Sequence, residues 1–248
     1  PNFITTKTFS MKNRYVIPNI HGCEKTLKTF IEQQIKPSKN DELFFLGDYI
    51  DRGPDAKGVI DYIRNMQEDE YNIRLLLGNH EDYCIQAVHA EKNRKKILGL
   101  KKANLIRKEW EKHGGKETQE SFGLKNLKDF PSDYLKWMKK LEPYIELEDC
   151  ILVHAGLNFD IKDPFEDVRA MLWLRDFKVK PEKIQNKTVI HGHVPVSLEF
   201  IDMTLKSDHY DFIDLDNGVY MENRGGFGNL CALELNSKEL VVQSNMDF

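Results

Sequence analysis

Five short clusters in this sequence carry side chains able to hold a metal ion. They are Asn19-Ile20-His21, Gly47-Asp48 through Asp51-Arg52-Gly53, Gly78-Asn79-His80-Glu81, His154-Ala155-Gly156 and His191-Gly192-His193. Imidazole, carboxylate and carboxamide form a mixed nitrogen and oxygen donor set suited to manganese, iron or zinc, and the absence of thiolate among them argues against a soft-metal site. Asp48 has two carboxylate oxygens and can bridge two cations. A pair of ions about 3.5–4 Å apart forms the clamp used for in-line attack on phosphorus. Taken one at a time, the same residues have plainer readings. Asp48 or Asp51 alone is a helix cap, Asn79 caps a following helix, and His154 is a satisfied core histidine. Glu81 and His191 read as structural hydrogen-bond partners. Their order along the chain is what favours the metal reading.

Each cluster closes a short apolar run. Tyr15-Val16-Ile17, Leu43 to Leu46, Ile73 to Leu77, Ile151 to Val153 and Thr188 to Ile190 are rich in branched residues and end on glycine or polar residues, as buried strands do. Leu27, Phe30, Ile31 and Ile35 form one helical stripe, and Val59, Ile60, Tyr62, Ile63 and Met66 form another. Strand, helix, strand, helix, strand predicts βαβ units with parallel strands. Ligands in such sheets bind beyond the carboxyl ends of the strands, which is where the clusters fall. Past residue 195, Phe200-Ile201, Phe212-Ile213, Val219-Tyr220, Leu230 to Leu235 and Leu240 to Val242 read as short strands of an antiparallel or mixed second sheet.

A chain of 248 residues can build a sizeable core without disulfides or a structural metal. Its 40% hydrophobic and 31% charged content excludes a disordered or fibrous protein. The net charge of −4 disfavours nucleic acid or a membrane surface as partner. No apolar run approaches the roughly 18 residues of a membrane span. Cys23, Cys84, Cys150 and Cys231 are scattered without CxxC spacing, which fits a reducing, cytoplasmic setting. Residues 1–10 read as an extension ahead of a single domain over 11–248, with a helical insertion at about 90–130. Within it, 91–112 carries nine Lys or Arg against three acids. That segment reads as a solvated helical face over Ile97, Leu98, Leu105 and Ile106 rather than a patch steering acidic substrates.

The blocks around 19–22, GDYIDRG (47–53), GNHE (78–81), HAG (154–156) and HGHVP (191–195) together resemble the metallophosphoesterase superfamily. More closely they resemble the bacterial branch of the phosphoprotein phosphatase family of serine/threonine phosphatases. Trp110-x3-Gly114-Gly115-x2-Thr118, Leu172-Trp173-Leu174-Arg175 and Asp216-Asn217-Gly218 extend the likeness. The resemblance implies an α/β, calcineurin-like fold, two mixed β-sheets packed as a sandwich and flanked by helices. It implies a phosphomonoester hydrolase acting on phosphoproteins or phosphopeptides, serine/threonine-directed or dual-specific. Two divalent cations, manganese first with iron or zinc as alternatives, would activate a water. Asn19, His21 and Asp48 would hold the first ion, and Asp48, Asn79, His154 and His193 the second. Arg52 and Arg175, with His80 beside them, would grip phosphate oxygens. His80 would protonate the leaving oxygen, and Asp51 would orient His80 and raise its pKa. Related symmetrical dinucleoside-tetraphosphate hydrolases share this metal core and stand as the alternative, together with a metal-impaired, phosphate-binding regulatory module.

One position departs from the family. Its D-x-H pattern reads Asn19-Ile20-His21 here, after Pro18 in place of the usual glycine. Asparagine keeps the shape of aspartate but loses its charge, and its carbonyl binds a hard cation more weakly. Changes behind the ligands already cost about 10–100-fold in metal affinity, so a charge lost from a ligand itself is expected to cost at least that and to slow turnover.

Overall fold

The five branched and aromatic runs that precede the ligand clusters form the expected strands. The structure is a computed structural model that describes residues 12–94, 96–97, 100–101, 103–207 and 209–248. The proposed extension at 1–10 lies outside the described residues. The first part alternates β1 (Arg14–Ile17), α1 (Glu24–Thr29) continuing in a wider turn to Ile35, β2 (Glu42–Phe45), α2 (Ala56–Glu68), β3 (Asn72–Leu75) and α3 (Asn79–Lys92). Strands β1, β2 and β3 pair in parallel, with Tyr15 opposite Leu43 and Leu43 opposite Ile73. Asp55 caps α2 by accepting the Gly58 N–H, and of the predicted stripe Val59, Ile60, Ile63 and Met66 are buried while Tyr62 is half-buried.

The basic segment differs from expectation. A two-strand ribbon, β4 (Lys96–Ile97) and β5 (Leu100–Lys101), interrupts it before α4 (Leu105–Trp110), α5 (Lys116–Ser121) and α6 (Ser132–Met138). Leu105 and Ile106 are 71% and 36% exposed rather than covered by a charged face. The glycine at 99, a poor helix former between apolar residues, was the local sign against one continuous helix. Leu98, the remaining residue of that reading but for Ile97, lies outside the described residues.

The second part contains β6 (Tyr144–Glu146), β7 (Cys150–Val153), α7 (Val168–Trp173), β8 (Thr188–His191), α8 (Leu198–Lys206), β9 (Phe212–Asp214), β10 (Asn229–Glu234) and β11 (Leu240–Ser244). The two principal sheets run β11-β10-β1-β2-β3 and β6-β7-β8-β9. Both are mixed: β10 and β11 are antiparallel in the first, and β6 is antiparallel in the second. Three expectations are corrected. Phe200-Ile201 lies in α8, where Ser197 caps the helix through the Phe200 N–H and Ile201 and Thr204 are buried at helical spacing. Val219-Tyr220 is a turn following Gly218 rather than a strand. Strands β10 and β11 return to the first sheet, with Tyr15 opposite Glu234, instead of building the second.

Side-chain alternation explains the layers. Leu43 and Phe45 of β2 face the helices, where they join Phe30, Ile31, Val59 and Ile60. Phe44 faces the other way and joins Leu152, Ile190 and Ile213 of the second sheet. Ile151, Val153 and Val189 then turn outward onto Leu157, Phe159 and Met171. Helix, sheet, sheet, helix is the resulting order. All four cysteines are free and buried. Among the described residues, no helix is long and apolar enough to cross a membrane.

Candidate metal centre and phosphate site

The carboxyl ends of β1, β2, β3, β7 and β8 meet at one edge of the sandwich. The N–H groups of Ile20 and His21 both donate to the Asp48 carbonyl, at 3.0 and 2.8 Å, tying the loops after β1 and β2 together. The loop after β3 enters α3, whose first residues are Asn79 and His80. Gly78 must lack a side chain there, since a Cβ would lie 2.2 Å from Asp48 Oδ1. The His80 N–H donates to that same oxygen at 3.1 Å, so the Asp48 carboxylate sits at the positive end of α3. Glu81 has the expected structural environment. It accepts the N–H groups of Asp48, Tyr49, Ile50 and Gly78 at 2.9, 2.8, 3.2 and 3.1 Å. Burial beside Asp48 pushes its carboxyl up to about 8, against four donors that favour the charged form.

Asp48 is 1% exposed and faces ring nitrogens from both sheets. His21 Nε2 lies 3.6 Å from its Oδ2, and His154 Nε2 lies 3.5 Å from its Oδ1. The other nitrogen of each ring meets a backbone carbonyl: His21 Nδ1 is 3.1 Å from Ile50, and His154 Nδ1 is 2.8 Å from Leu46. A carbonyl only accepts, so each Nδ1 carries the proton and each Nε2 turns a lone pair toward a carboxylate oxygen. Burial keeps both rings neutral by lowering their pKa, and it brings His193 down to about 3. Asn79 Oδ1 adds another acceptor, 2.9 Å from His154 Nε2 and 2.9 Å from His193 Nδ1. Lone pairs facing an anion and a carbonyl oxygen repel unless a cation lies among them. Histidines anchored by the outer nitrogen on a carbonyl are also the usual form of metal-binding imidazole. Donor atoms of His21, Asp48 and His80, and those of Asp48, His154 and His193, lie within 4.8 Å of one another, with Asp48 common to both groups. These residues fit divalent cations.

Asn19 is placed differently. Its Nδ2–H donates to Asp48 Oδ2 at 2.9 Å, while its Oδ1 accepts the His193 N–H at 3.2 Å. Turning the carboxamide over would set its amino group against the His193 N–H. An N–H therefore meets the Asp48 oxygen nearest His21, on the side where a ligand oxygen was expected.

His80 has the environment of an acid. Its Nδ1 is 2.7 Å from Asp51 Oδ2, which also accepts the Trp110 indole N–H at 2.7 Å. Asp51 Oδ1 takes the Thr118 hydroxyl at 2.5 Å, and Thr118 Oγ1 accepts the Asp51 N–H at 2.9 Å. Burial alone would lower the His80 pKa, but the negative charges of Asp48 and Asp51 outweigh it and raise the group above its ordinary 6.5. A protonated Nε2 and Arg52 Nη2, 3.4 Å apart, are two donors facing one spot where an anionic oxygen could accept from both. The Arg52 guanidinium lies on the Tyr220 ring at 4.1 Å, and Tyr220 meets His21 edge-on at 4.9 Å. Gly114, at φ +106°, offers its carbonyl to the Arg52 N–H at 3.4 Å.

Nine of the ten expected site residues thus come together: Asn19, His21, Asp48, Asp51, Arg52, Asn79, His80, His154 and His193. Arg175 stands exposed beyond α7, where its charge still acts on Arg52 and His193. Four residues given no role by sequence reasoning also belong to the site: Trp110, Thr118, Tyr220 and Asp216. Asp216 is buried with an unpartnered Oδ2, and burial pushes its carboxyl up to about 7. A tryptophan ahead of a Gly-Gly pair and a threonine close behind it were the available signals, but nothing local ties them to Asp51.

Residues 15–225 match the family described as calcineurin-like phosphoesterase. Among curated proteins, a symmetrical bis(5'-nucleosyl)-tetraphosphatase of Erwinia tasmaniensis is 37% identical over 147 residues, covering 58% of this chain and 44% of that protein. A second, from Buchnera aphidicola, is 35% identical over 82 residues, 33% of this chain and 29% of that protein. The matches span less than half the length of these relatives. Among solved structures, a serine/threonine phosphatase of Saccharomyces cerevisiae superposes with a TM-score of 0.62 at 13% identity, covering 96% of this chain and 81% of the other. A cold-active protein-tyrosine phosphatase of a Shewanella species does so with a TM-score of 0.58 at 15% identity, covering 94% and 78%. Likeness at these identities concerns the fold, and the expected sandwich of two mixed sheets holds.

Proposed function

Because this chain belongs to the calcineurin-like phosphoesterase family, we propose that its cleft hydrolyses a phosphoric anhydride, with a symmetrical dinucleoside tetraphosphate as substrate. The observation that carries hydrolysis is the His80–Asp51 pair at 2.7 Å beside the carboxylate common to two donor groups. The choice of substrate is supported by relatives at 35–37% identity that are named as such tetraphosphatases. The four free, buried thiols support a cytoplasmic setting.

His21, Asp48, Asn79, His154 and His193 would hold divalent cations, manganese first and iron or zinc next, as their nitrogen and oxygen donors suit. Such ions supply Lewis acidity and a nucleophile at neutral pH when bound. The chain's own residues do the remainder. Arg52, its plane set by Tyr220, and Arg175 at the rim grip the phosphate oxygens where charge spreads in phosphoryl transfer. His80 gives its Nε2 proton to the leaving oxygen. Asp51 keeps Nδ1 protonated, and Trp110 and Thr118 keep Asp51 from turning. We place Asn19 as the weak point: its N–H against Asp48 lowers affinity for the ion on the His21 side and slows turnover.

A serine/threonine protein phosphatase is the second reading, and the acid itself favours it. A serine alkoxide needs a proton in order to leave, whereas a nucleoside diphosphate leaves well without one. Manganese-saturated protein given diadenosine tetraphosphate and a phosphoseryl peptide in parallel separates the two. ADP as the sole nucleotide product supports the first reading. Phosphate released from the peptide with the dinucleotide intact overturns it in favour of the second. Failure to cleave either, or a simple aryl phosphate, overturns both and leaves a phosphate-binding module.

A further inference from the structure

A cavity of about 470 Å³ opens between α3, which begins with Asn79 and His80, and α7, with Asp82, Tyr83, Gln86, Val168, Arg169 and Trp173 among its walls. We propose that it binds the nucleoside portion of a nucleotide whose phosphate lies on Arg52 and Arg175. The inference rests on the dinucleotide reading above and names the element that gives it base specificity.

Position is the first argument. Tyr83 follows His80 by one turn of α3, about 4.5 Å along the axis. Trp173 ends α7 two residues before Arg175. One wall is therefore continuous with the acid and the other with the rim arginine. His113, next to the glycine that meets Arg52, lies nearly parallel to Tyr83, at 6.3 Å and 19°. Through His113 the Tyr83 wall is thus in contact with the segment that meets Arg52.

Chemistry is the second. Tyr83 and Trp173 meet edge to face, with centroids 4.9 Å apart and planes at 81°. That arrangement leaves ring surface unused by the pair itself, on which a flat heterocycle can stack. The polar wall suits the edge of such a ring. Asp82 accepts from the Gln86 amide at 2.7 Å; burial raises its pKa, opposed in part by Gln86, the Trp173 indole and Arg169. A carboxylate and a carboxamide beside two aromatic rings can pair with the amino and ring-nitrogen groups of a base. The volume is on the scale of sites for one small ligand, about 300–1,000 Å³.

The test compares AMP with ribose 5-phosphate, which lacks only the base, by calorimetric titration of the manganese-loaded full chain. Wild type should bind AMP more tightly by the factor that one stacking partner supplies, roughly 5- to 150-fold. Trp173→Ala should bring that ratio close to one while the affinity for inorganic phosphate stays unchanged. Val168→Trp, which fills the cavity from a position 46% exposed, should do the same without emptying the wall, and so guards against a Trp173 variant that does not fold. Equal binding of the two ligands by wild type overturns the proposal, as does a ratio that survives both substitutions. So does a cavity that serves a phosphopeptide instead, with peptide affinity falling in both variants and no base preference in wild type. The functional reading fails separately: a base preference with no cleavage of the dinucleotide would sink the activity and keep the site.

Discussion

Replacing Asp51 by asparagine separates the charge behind His80 from the hydrogen bonds around it. In the native site Asp51 Oδ2 accepts from His80 and Trp110, both at 2.7 Å, and Oδ1 accepts from Thr118 at 2.5 Å. An asparagine can set its oxygen in place of Oδ2 and keep the first two donors. Its amide nitrogen then faces Thr118 Oγ1, which has two lone pairs and already uses one for the residue 51 N–H. The Thr118 hydroxyl proton, which the carboxylate accepted, is the one group left without its partner. Hydrogen bonds to a charged partner exceed neutral ones by about 1 kcal/mol each and a stranded buried donor costs about 1–3 kcal/mol, so the fold should lose about 3–5 kcal/mol. Relief from burying a carboxyl that burial already pushes up works against even that loss. Alanine at the same position would instead strand three donors, at about 1–3 kcal/mol each.

The effect on catalysis should be selective. Without the Asp51 charge only Asp48 is left to oppose burial, so the His80 pKa falls and less of the ring enters the reaction protonated. Loss of a general acid costs about 10²- to 10⁴-fold, a barrier increase of about 2.7–5.5 kcal/mol. It should fall on alkyl phosphates, whose leaving oxygen needs the proton, and hardly touch nitrophenyl phosphates. The assay is kcat/KM across phosphates of graded leaving-group pKa for wild type and Asp51→Asn, with urea unfolding of both. A uniform loss across the series, or none on the alkyl members, would refute the reasoning.

Three further outcomes follow from the same geometry. Asn19→Asp should tighten the weaker cation site by at least about 10–100-fold, seen as an added step in a calorimetric manganese titration, and superimposable isotherms would dismiss the role given to Asn19. The pH profile has a definite sign: because the folded His80 pKa is raised above 6.5, kcat on an alkyl phosphate should hold below that value and fall as pH rises through the raised one. An aryl phosphate should show no such limb. Glu81→Gln should lower urea stability by about 2–6 kcal/mol, since the amide can satisfy only two of the four N–H donors and sets its own N–H groups against the rest. A loss under about 1 kcal/mol would show that those loops hold themselves.

The ligand-bearing loops were readable because each follows a run of branched residues by one or two positions, and the parallel topology then brings those ends to one edge. What escaped was long-range or too short to carry a period. Phe200-Ile201 looks the same in a strand or a helix; only Ser197, three residues ahead, marks the helix start. The return of β10 to β1 pairs Glu234 with Tyr15 across most of the chain, and no local pattern encodes it. The same holds for Trp110 and Thr118, which lie 59 and 67 residues from the carboxylate they hold. Arg52 on Tyr220 is a third case, since cation–π contact leaves no spacing in the sequence.

Backbone handedness was also invisible, and it accounts for how these loops aim their side chains. His21, Asp48, Asp51, Arg52 and His193 all have positive φ, between 48° and 75°, though none is glycine. Such a conformation costs about 1–3 kcal/mol per residue and persists only where the surroundings over-determine it. Here they do. The Asp48 carbonyl takes two N–H groups from the loop after β1, the His21 carbonyl takes the Gly53 N–H at 2.9 Å, and Glu81 draws in the N–H groups of Asp48, Tyr49 and Ile50 from the opposite side. Glycine would relieve the strain at each of these positions, but it would remove the imidazole, carboxylate or guanidinium that the site uses. The two sheets fix where each loop begins. Glu81 and the crossed carbonyl bonds fix the rotation that turns Asp48 between His21 and His154, so the carboxylate is held ready before any ligand arrives.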